Sequence, residues 1–288
     1  MNIHQQYLVP LWLLAGMAAA QAETVRSTVE LDGIENIHLL SPFHLVVTQG
    51  EEEYVTIITD SELIDEVEAR IKGDTLALGS NGNPFWDSFS ATRDRNVTFE
   101  VQVKALKYLA NRSSGTVQLR PLHSSDDLEF NLQGSGDIRA DLLVVDDLAI
   151  NVRGSGTTRI GRSEVDDLDL TVHGSGNIEL DELYARREKL AKAKIVGNGS
   201  GGVRIADGEV EDLSIVVNGS GGVDTANLRA RKAKVSVNGS GDVEVNVSET
   251  LDARINGTGD VGYRGEPTDV DRSVNGSGRV RSRNDSGQ

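Results

Sequence analysis

The tripeptide Gly-Ser-Gly returns at an almost fixed interval through the C-terminal two-thirds of the chain. Copies begin at Gly134, Gly154, Gly174, Gly199, Gly219, Gly239, Gly257 (as Gly-Thr-Gly) and Gly276, at steps of 20, 20, 25, 20, 20, 18 and 19 residues. A degenerate copy, Ser113-Ser114-Gly115, starts 21 residues before the first. A period of this size is the mark of a solenoid, in which each repeat buries its apolar face only by stacking on its neighbours.

The residues ahead of each tripeptide alternate. Six positions before the first Gly stand Leu128, Leu148, Leu168, Ala193, Leu213, Ala233, Leu251 and Val270. Four before it stand Phe130, Ile150, Leu170, Ile195, Ile215, Val235 and Ala253, and the last repeat breaks the rule with Arg272. Two before it stand Leu132, Val152, Val172, Gly197, Val217, Val237, Ile255 and Val274, with mostly polar residues between. Such alternation is a half-buried strand. The pattern resumes four residues after the Gly, at Ile138, Ile178, Val203, Val223, Val243, Val261 and Val280. Each repeat therefore reads as strand, corner, strand and turn.

The residue just before the Gly is Gln133, Arg153 and His173, then Asn198, Asn218, Asn238, Asn256 and Asn275. Asn side chains on successive rungs, about 4.8 Å apart, can hydrogen-bond along the stacking axis. The glycines permit a tight bend. Together these features predict an all-β, single-domain parallel β-helix-like solenoid with rungs of about 20 residues, right-handed as parallel crossovers are. About eight to ten rungs would span roughly 40–50 Å. Leu128, Leu148 and Leu168 should share one face.

Residues 1–22 stand apart from the fold. Tyr7 to Ala20 is an apolar run ending in Ala20-Gln21-Ala22. It is short for a bilayer span and reads as a secretory signal peptide cleaved at about Ala22, although no Lys or Arg precedes it. The expected location is periplasmic, secreted or cell-surface. Cysteine is absent, so the chain forms no disulfides and carries no Cys-linked lipid. The formal net charge of −16 repels nucleic acid and anionic lipid surfaces.

Residues 23–110 read as irregular first rungs, 111–282 as the regular rungs and 283–288 as a polar tail. In the first part, alternation at Phe43, Leu45 and Val47, at Val55, Ile57 and Thr59, and at Val97, Phe99, Val101 and Val103 predicts strands. Asp60-Ser61-Glu62 can cap one helical turn. Lys72-Gly73-Asp74 between apolar alternations is a hairpin signal. Residues 79–96 interrupt the pattern with Phe85, Trp86 and Phe89. Two readings stay open for these rings: they pack over the open end of the core, or they bind a ligand or partner. Residues 181–194 also break the period and carry Arg186, Arg187, Lys189, Lys192 and Lys194, as a short helix or an outward bulge.

The candidate chemistry lies in acidic pairs that recur ahead of the tripeptide: Asp126-Asp127, Asp146-Asp147 and Asp166-Asp167, followed by Glu211-Asp212. Stacked on one edge, these carboxylates repel one another unless a cation sits between them, and hard oxygen ligands suit Ca²⁺. The alternatives are solvated turn residues or salt bridges from Lys192, Arg231 and Lys232. Gly197-Asn198-Gly199-Ser200-Gly201-Gly202 matches a dinucleotide fingerprint, but no helix follows it. The pattern G-x-S-x-G is absent, and His38, His44, His123 and His173 are scattered. Catalytic residues and an organic cofactor are therefore not expected.

Three features together carry a family resemblance. They are Phe43-His44-Leu45-Val46-Val47-Thr48-Gln49-Gly50, the segment Val97–Leu109 leading into Ser113-Ser114-Gly115, and the Gly-Ser-Gly series. They resemble the bacterial family described as putative auto-transporter adhesin, head GIN domain, over about residues 35–282. The resemblance implies an exported envelope or surface protein with a β-helix-like fold and no established catalytic residues. The expected function is a non-enzymatic binding or adhesion module with an envelope glycan or protein as partner. A carbohydrate-active β-helix enzyme and a structural envelope scaffold are the alternatives.

Overall fold

A computed structural model of the chain describes residues 23–81, 96–187 and 190–283. Residues 1–22, expected from the sequence to be a signal peptide, the aromatic residues Phe85, Trp86 and Phe89, and residues 284–288 lie outside the described residues. The fold is all-β, a solenoid of about 9 stacked turns.

Strand pairing sorts each turn into three faces. On the first, Leu128–Leu132, Asp147–Val152, Asp167–Gly174 and Lys192–Gly199 stack in parallel, followed by the C-terminal parts of Gly208–Gly219, Val223–Gly239 and Val243–Gly257, then Asp269–Gly276. Thr116–Leu119, Asp137–Val144, Thr157–Val165 and Asn177–Ala185 stack on the second face, which ends at Val280–Ser282. The third joins residues such as Leu143, Ser163, Leu183, Gly208 and Leu228. Val223–Gly239 runs across corners without a break.

The apolar columns stack in register as the period requires. Leu128 pairs with Leu148, Leu148 with Leu168, and Leu168 with Ala193, and all four are buried. The next inward column, from Phe130 to Ala253, is buried in every rung. This continuous apolar stripe stabilises the stack through removal of its side chains from water, about 1.5–3 kcal/mol for each large one.

Each corner is held by backbone and side chains together. The Gly219 carbonyl accepts the N–H of both Ser240 (2.9 Å) and Gly241 (3.0 Å). Beside it the asparagines form the expected ladder: the Nδ2 of Asn218 donates to Asn198 Oδ1 (2.8 Å), Asn238 to Asn218 (2.9 Å) and Asn256 to Asn238 (3.0 Å). Both glycines let backbone stack directly on backbone: a Cβ on Gly239 would lie 2.3 Å from the Gly219 carbonyl oxygen, and one on Gly241 2.1 Å from the Gly221 carbonyl oxygen. Gly239 in addition adopts φ 139°, which serves the bend.

The N-terminal part departs from simple succession. Asn36–Leu39 lies between Thr75–Ser80 and Tyr108–Asn111, so a strand early in the chain is sandwiched between two later ones. His44–Gln49 lies likewise between Thr98–Val103 and Thr116–Leu119. Val67–Lys72 and Thr75–Ser80 form the expected antiparallel hairpin, with Gly73 at φ 63°. The helical turn is a 3-10 segment, Ile64–Glu66, capped at Leu63 with no side-chain bond, rather than by Asp60-Ser61-Glu62. Thr24–Glu30 is a further strand, antiparallel to Tyr54–Asp60.

Candidate functional site

The carboxylates that recur in sequence occupy two adjacent columns with different partners. Asp146 and Asp166 lie at the corner. The insert that lengthens one repeat folds back on them: Arg186 pairs with Asp146, and Arg187 reaches Asp166 (2.7 Å) and Asp146 (3.3 Å). Leu190 anchors this insert in the core, at 2% exposure. Among the described residues of the insert there is no helix, which leaves the bulge. Further along the column, Arg231 pairs with both Glu211 and Glu249. Oppositely charged neighbours thus relieve much of this edge.

Asp127, Asp147 and Asp167 form the second column, on the outer side of the first face. The Asp127 carboxylate accepts the Asp147 N–H (3.3 Å), and Asp167 accepts the Lys192 N–H (3.0 Å). Asp126 accepts no bond from the described residues of the insert; its own N–H donates to Ser124 Oγ (3.0 Å). No group of three or more His, Cys, Asp or Glu side chains among the described residues is arranged to hold a metal ion.

Beside this column lies a shallow groove of about 650 Å³. Its floor exists because Ala149 stands between Glu129 and Asp169 in register, so a short side chain follows a long one. Asp127, Asp147 and Asp167 form one wall; Lys107, Lys192 and Lys194 also line it. Lys194 is paired with Asp169 (2.8 Å) and Lys107 with Glu35 (2.9 Å). No aromatic side chain lines the groove.

Asp147 is the titrating group this geometry perturbs. Partial desolvation in the groove, then the charges of Asp127, Asp167 and Asp166, push its carboxyl above the usual carboxylate range. A raised folded-state value means the ionised carboxylate opposes folding. The penalty is present at neutral pH and disappears as pH falls through the folded value to the unfolded one, about 3.9. Asp147→Asn should therefore raise the melting temperature at pH 7 by about 1–2 °C, the effect of roughly 0.5 kcal/mol at an exposed site. The gain should vanish below about pH 4. A melting profile with no difference at pH 7 would show that the column is screened.

These features, a three-faced solenoid whose corners carry Asn-Gly-Ser-Gly and whose one broad face is a charged parallel sheet, can be compared with known proteins. The model of the family described as putative auto-transporter adhesin, head GIN domain, matches residues 34–193 and 189–267. The chain belongs to that family. No curated protein matches it. Among solved structures, a "putative lipid binding protein" from Parabacteroides distasonis is 22% identical, with a TM-score of 0.64 over 89% of this chain and 96% of that one. A "putative adhesin" from Parabacteroides merdae is 19% identical, with a TM-score of 0.64 over 90% and 95%. Another from P. distasonis is 20% identical, at 0.64 over 91% and 97%. At these identities the likeness is one of fold. The family and these neighbours carry adhesin or lipid-binding names rather than enzyme names. No helix among the described residues is long and apolar enough to cross a membrane.

Proposed function

We propose that this family member is an exported, envelope-associated binding module that acts without catalysis and lays an extended glycan along its first face. The observation that carries this reading is the groove over Ala149 in an otherwise flat, regular ladder. Carboxylates and ammonium groups along it supply hydrogen-bond acceptors and donors at rung spacing, suited to hydroxyl or amine groups on a linear polymer. A neighbour's lipid-binding name raises a lipid as ligand. The formal charge of −16 and the carboxylate wall disfavour an anionic headgroup.

Ala149→Arg fills the groove at a position whose neighbouring rungs already carry long side chains, so it should leave the fold intact. On a glycan array the wild type should retain a defined set of polymers, and Ala149→Arg should lose at least about tenfold, the cost of displacing ligand from its central contact. If no glycan is retained by the wild type, the reading is wrong. The raised pKa of Asp147 favours the second reading, a carbohydrate-active enzyme. Release of product from a retained polysaccharide, abolished by Asp147→Asn, would establish that reading instead.

Calcium belongs to the same proposal. With Asp146 and Asp166 engaged by arginines, the carboxylates left to a cation are Asp127, Asp147 and Asp167, flanked by Asp126. A rise in melting temperature in millimolar Ca²⁺, absent from Asp147→Asn, would place a cation there; no heat and no shift would leave solvated turns.

A further inference from the structure

Among the described residues, the two ends of the solenoid carry strand edges of matching chemistry that pair on one side only. At the N-terminal end of the first face the outermost described strand is Val67–Lys72, paired with Thr75–Ser80. At the C-terminal end it is Asp269–Gly276, paired with Val243–Gly257. Two of the exposed large apolar side chains lie on these edges, Ile71 at 50% and Val274 at 43%. On the second face, Thr24–Glu30 and Val280–Ser282 are likewise the outermost strands at the two ends. Unpaired edges of this kind add a strand from another chain unless something prevents it.

We propose that the C-terminal edge of one copy pairs antiparallel with the N-terminal edge of the next, so that the solenoid associates head to tail. The facing of side chains restricts the register. Ala69 and Ile71 lie opposite Leu78 and Leu76 on the core side, and Arg70 lies opposite Ala77 on the outer side. At the other end, Val270 and Val274 continue the core columns of Leu251 and Ile255, and Asp271 continues the outer column of Asp252. Only registers that differ by two residues keep inner with inner.

One of these registers sets Asp269 opposite Lys72, Asp271 opposite Arg70, Val270 opposite Ile71 and Val274 opposite Val67. Arg272, the charge in a core column, then faces Ala69, the smallest side chain available. It stays turned toward its own chain, donating to Tyr263 Oη (2.6 Å). A shift of two in one direction brings Asp271 against Glu68; in the other it loses one ion pair and sets Arg272 on Ile71. Among the described residues, Lys72, Asp269 and Asp271 have no ion-pair partner, and Arg70 is held by Glu68 on its own strand (2.5 Å). Pairing two C-terminal edges with each other instead opposes Asp271 to Asp271, Arg272 to Arg272, or Arg272 to Val274. Pairing two N-terminal edges with each other sets Glu68 opposite Arg70 but leaves Lys72, Asp269 and Asp271 unmatched, whereas unlike ends match all of them. The contact is therefore between unlike ends. It does not close on itself, and it builds a filament with a repeat of roughly 55 Å. The inference is independent of any ligand on the first face.

Sedimentation velocity on the purified chain tests it, from a few to several hundred micromolar, at low and at high salt. Wild type should show a weight-average sedimentation coefficient that rises with concentration and falls back at high salt. Arg70→Asp alone places Asp against Asp271, and Asp271→Arg alone places Arg against Arg70, so each variant should sediment as a monomer. Mixed in equal amounts they present one reversed pair and one native pair at alternate junctions, and association should return. Lys72→Glu with Asp269→Lys repeats the design should either variant fail to fold. A wild type that is monomeric throughout, single variants that associate as wild type does, or a mixture that stays monomeric would each overturn the proposal. An association that Asp271→Arg leaves intact would mark the N-terminal pairing instead.

Discussion

Gly241→Ala should destabilise the solenoid by about 3 kcal/mol, the upper end of the usual range for forced overpacking. The added methyl would lie 2.1 Å from the Gly221 carbonyl oxygen and 2.8 Å from Val217 Cγ1. The corner cannot shift to make room, because the Gly241 N–H is bonded to the Gly219 carbonyl (3.0 Å) and Asn238 to Asn218 (2.9 Å). The obstruction is backbone rather than the end of a flexible side chain, so no rotamer change relieves it. Gly197→Ala is the matched comparison. It stands in an apolar column, its φ is not in the left-handed region, and a Cβ there would meet nothing within 4 Å. It should be neutral or stabilising by up to about 1 kcal/mol through lost chain entropy in the unfolded state. Urea denaturation of the two variants beside wild type decides. Equal stabilities would mean that the second glycine of the tripeptide is not required by stacking.

The contrast between those two glycines marks how far the repeat could be read. The period fixes which residues stack, so the columns from Leu128 to Ala233 and the Asn ladder follow from counting alone. The role of the second glycine does not follow, since sequence shows its recurrence but not the carbonyl of the rung beneath. In residues 23–110 there is no tripeptide to count. Alternation there marks strands such as Thr98–Val103 but carries no information on which strand lies beside which. The placement of Asn36–Leu39 between two later strands is therefore invisible in sequence. Thr24–Glu30 escapes notice because its alternation is thin, with Val25 and Val29 among Thr, Arg, Ser and Glu.

The candidate site divides in the same way. The recurrence of Asp pairs implies that they stack on one edge, and Asp147 does lie beside Asp167 on the next rung. The relief of Asp146 and Asp166 by Arg186 and Arg187 is not readable, because a step of 25 residues says that an insert exists but not where it folds. The groove had a signal that could have been used. Ala149 is a small residue in a column otherwise made of Glu129, Asp169, Lys194, Ser214, Lys234, Asp252 and Asp271. Lys107 joins the groove from the irregular part, and no period points to it.

That irregular part depends on one buried carboxylate. The Glu53 side chain is 2% exposed, accepting the Gly33 N–H at Oε2 (2.6 Å) and the Lys104 N–H at Oε1 (3.3 Å), with the Lys104 ammonium 3.9 Å away. Its own backbone carbonyl accepts the Leu31 N–H (2.8 Å). One residue thus ties the turn after Thr24–Glu30 to the turn before Tyr54–Asp60 and to the chain leaving Thr98–Val103. Repeating Asn-Gly-Ser-Gly corners do this work elsewhere; here no tripeptide exists, and a charged acceptor replaces it. Glu53→Ala removes the acceptor while leaving two donors behind, and should destabilise by about 3 kcal/mol, the cost of unpaired buried polar groups. Glu53→Gln keeps one oxygen in place and should lose about 1 kcal/mol, one net hydrogen bond to a charged group. Hydrogen exchange locates the effect: protection should fall first in Thr24–Glu30, whose partner in the sheet is Tyr54–Asp60, while the rungs after Leu128 keep theirs. Glu53→Ala within about 0.5 kcal/mol of wild type, the range of an ordinary surface change, would show that solvent already satisfies those donors.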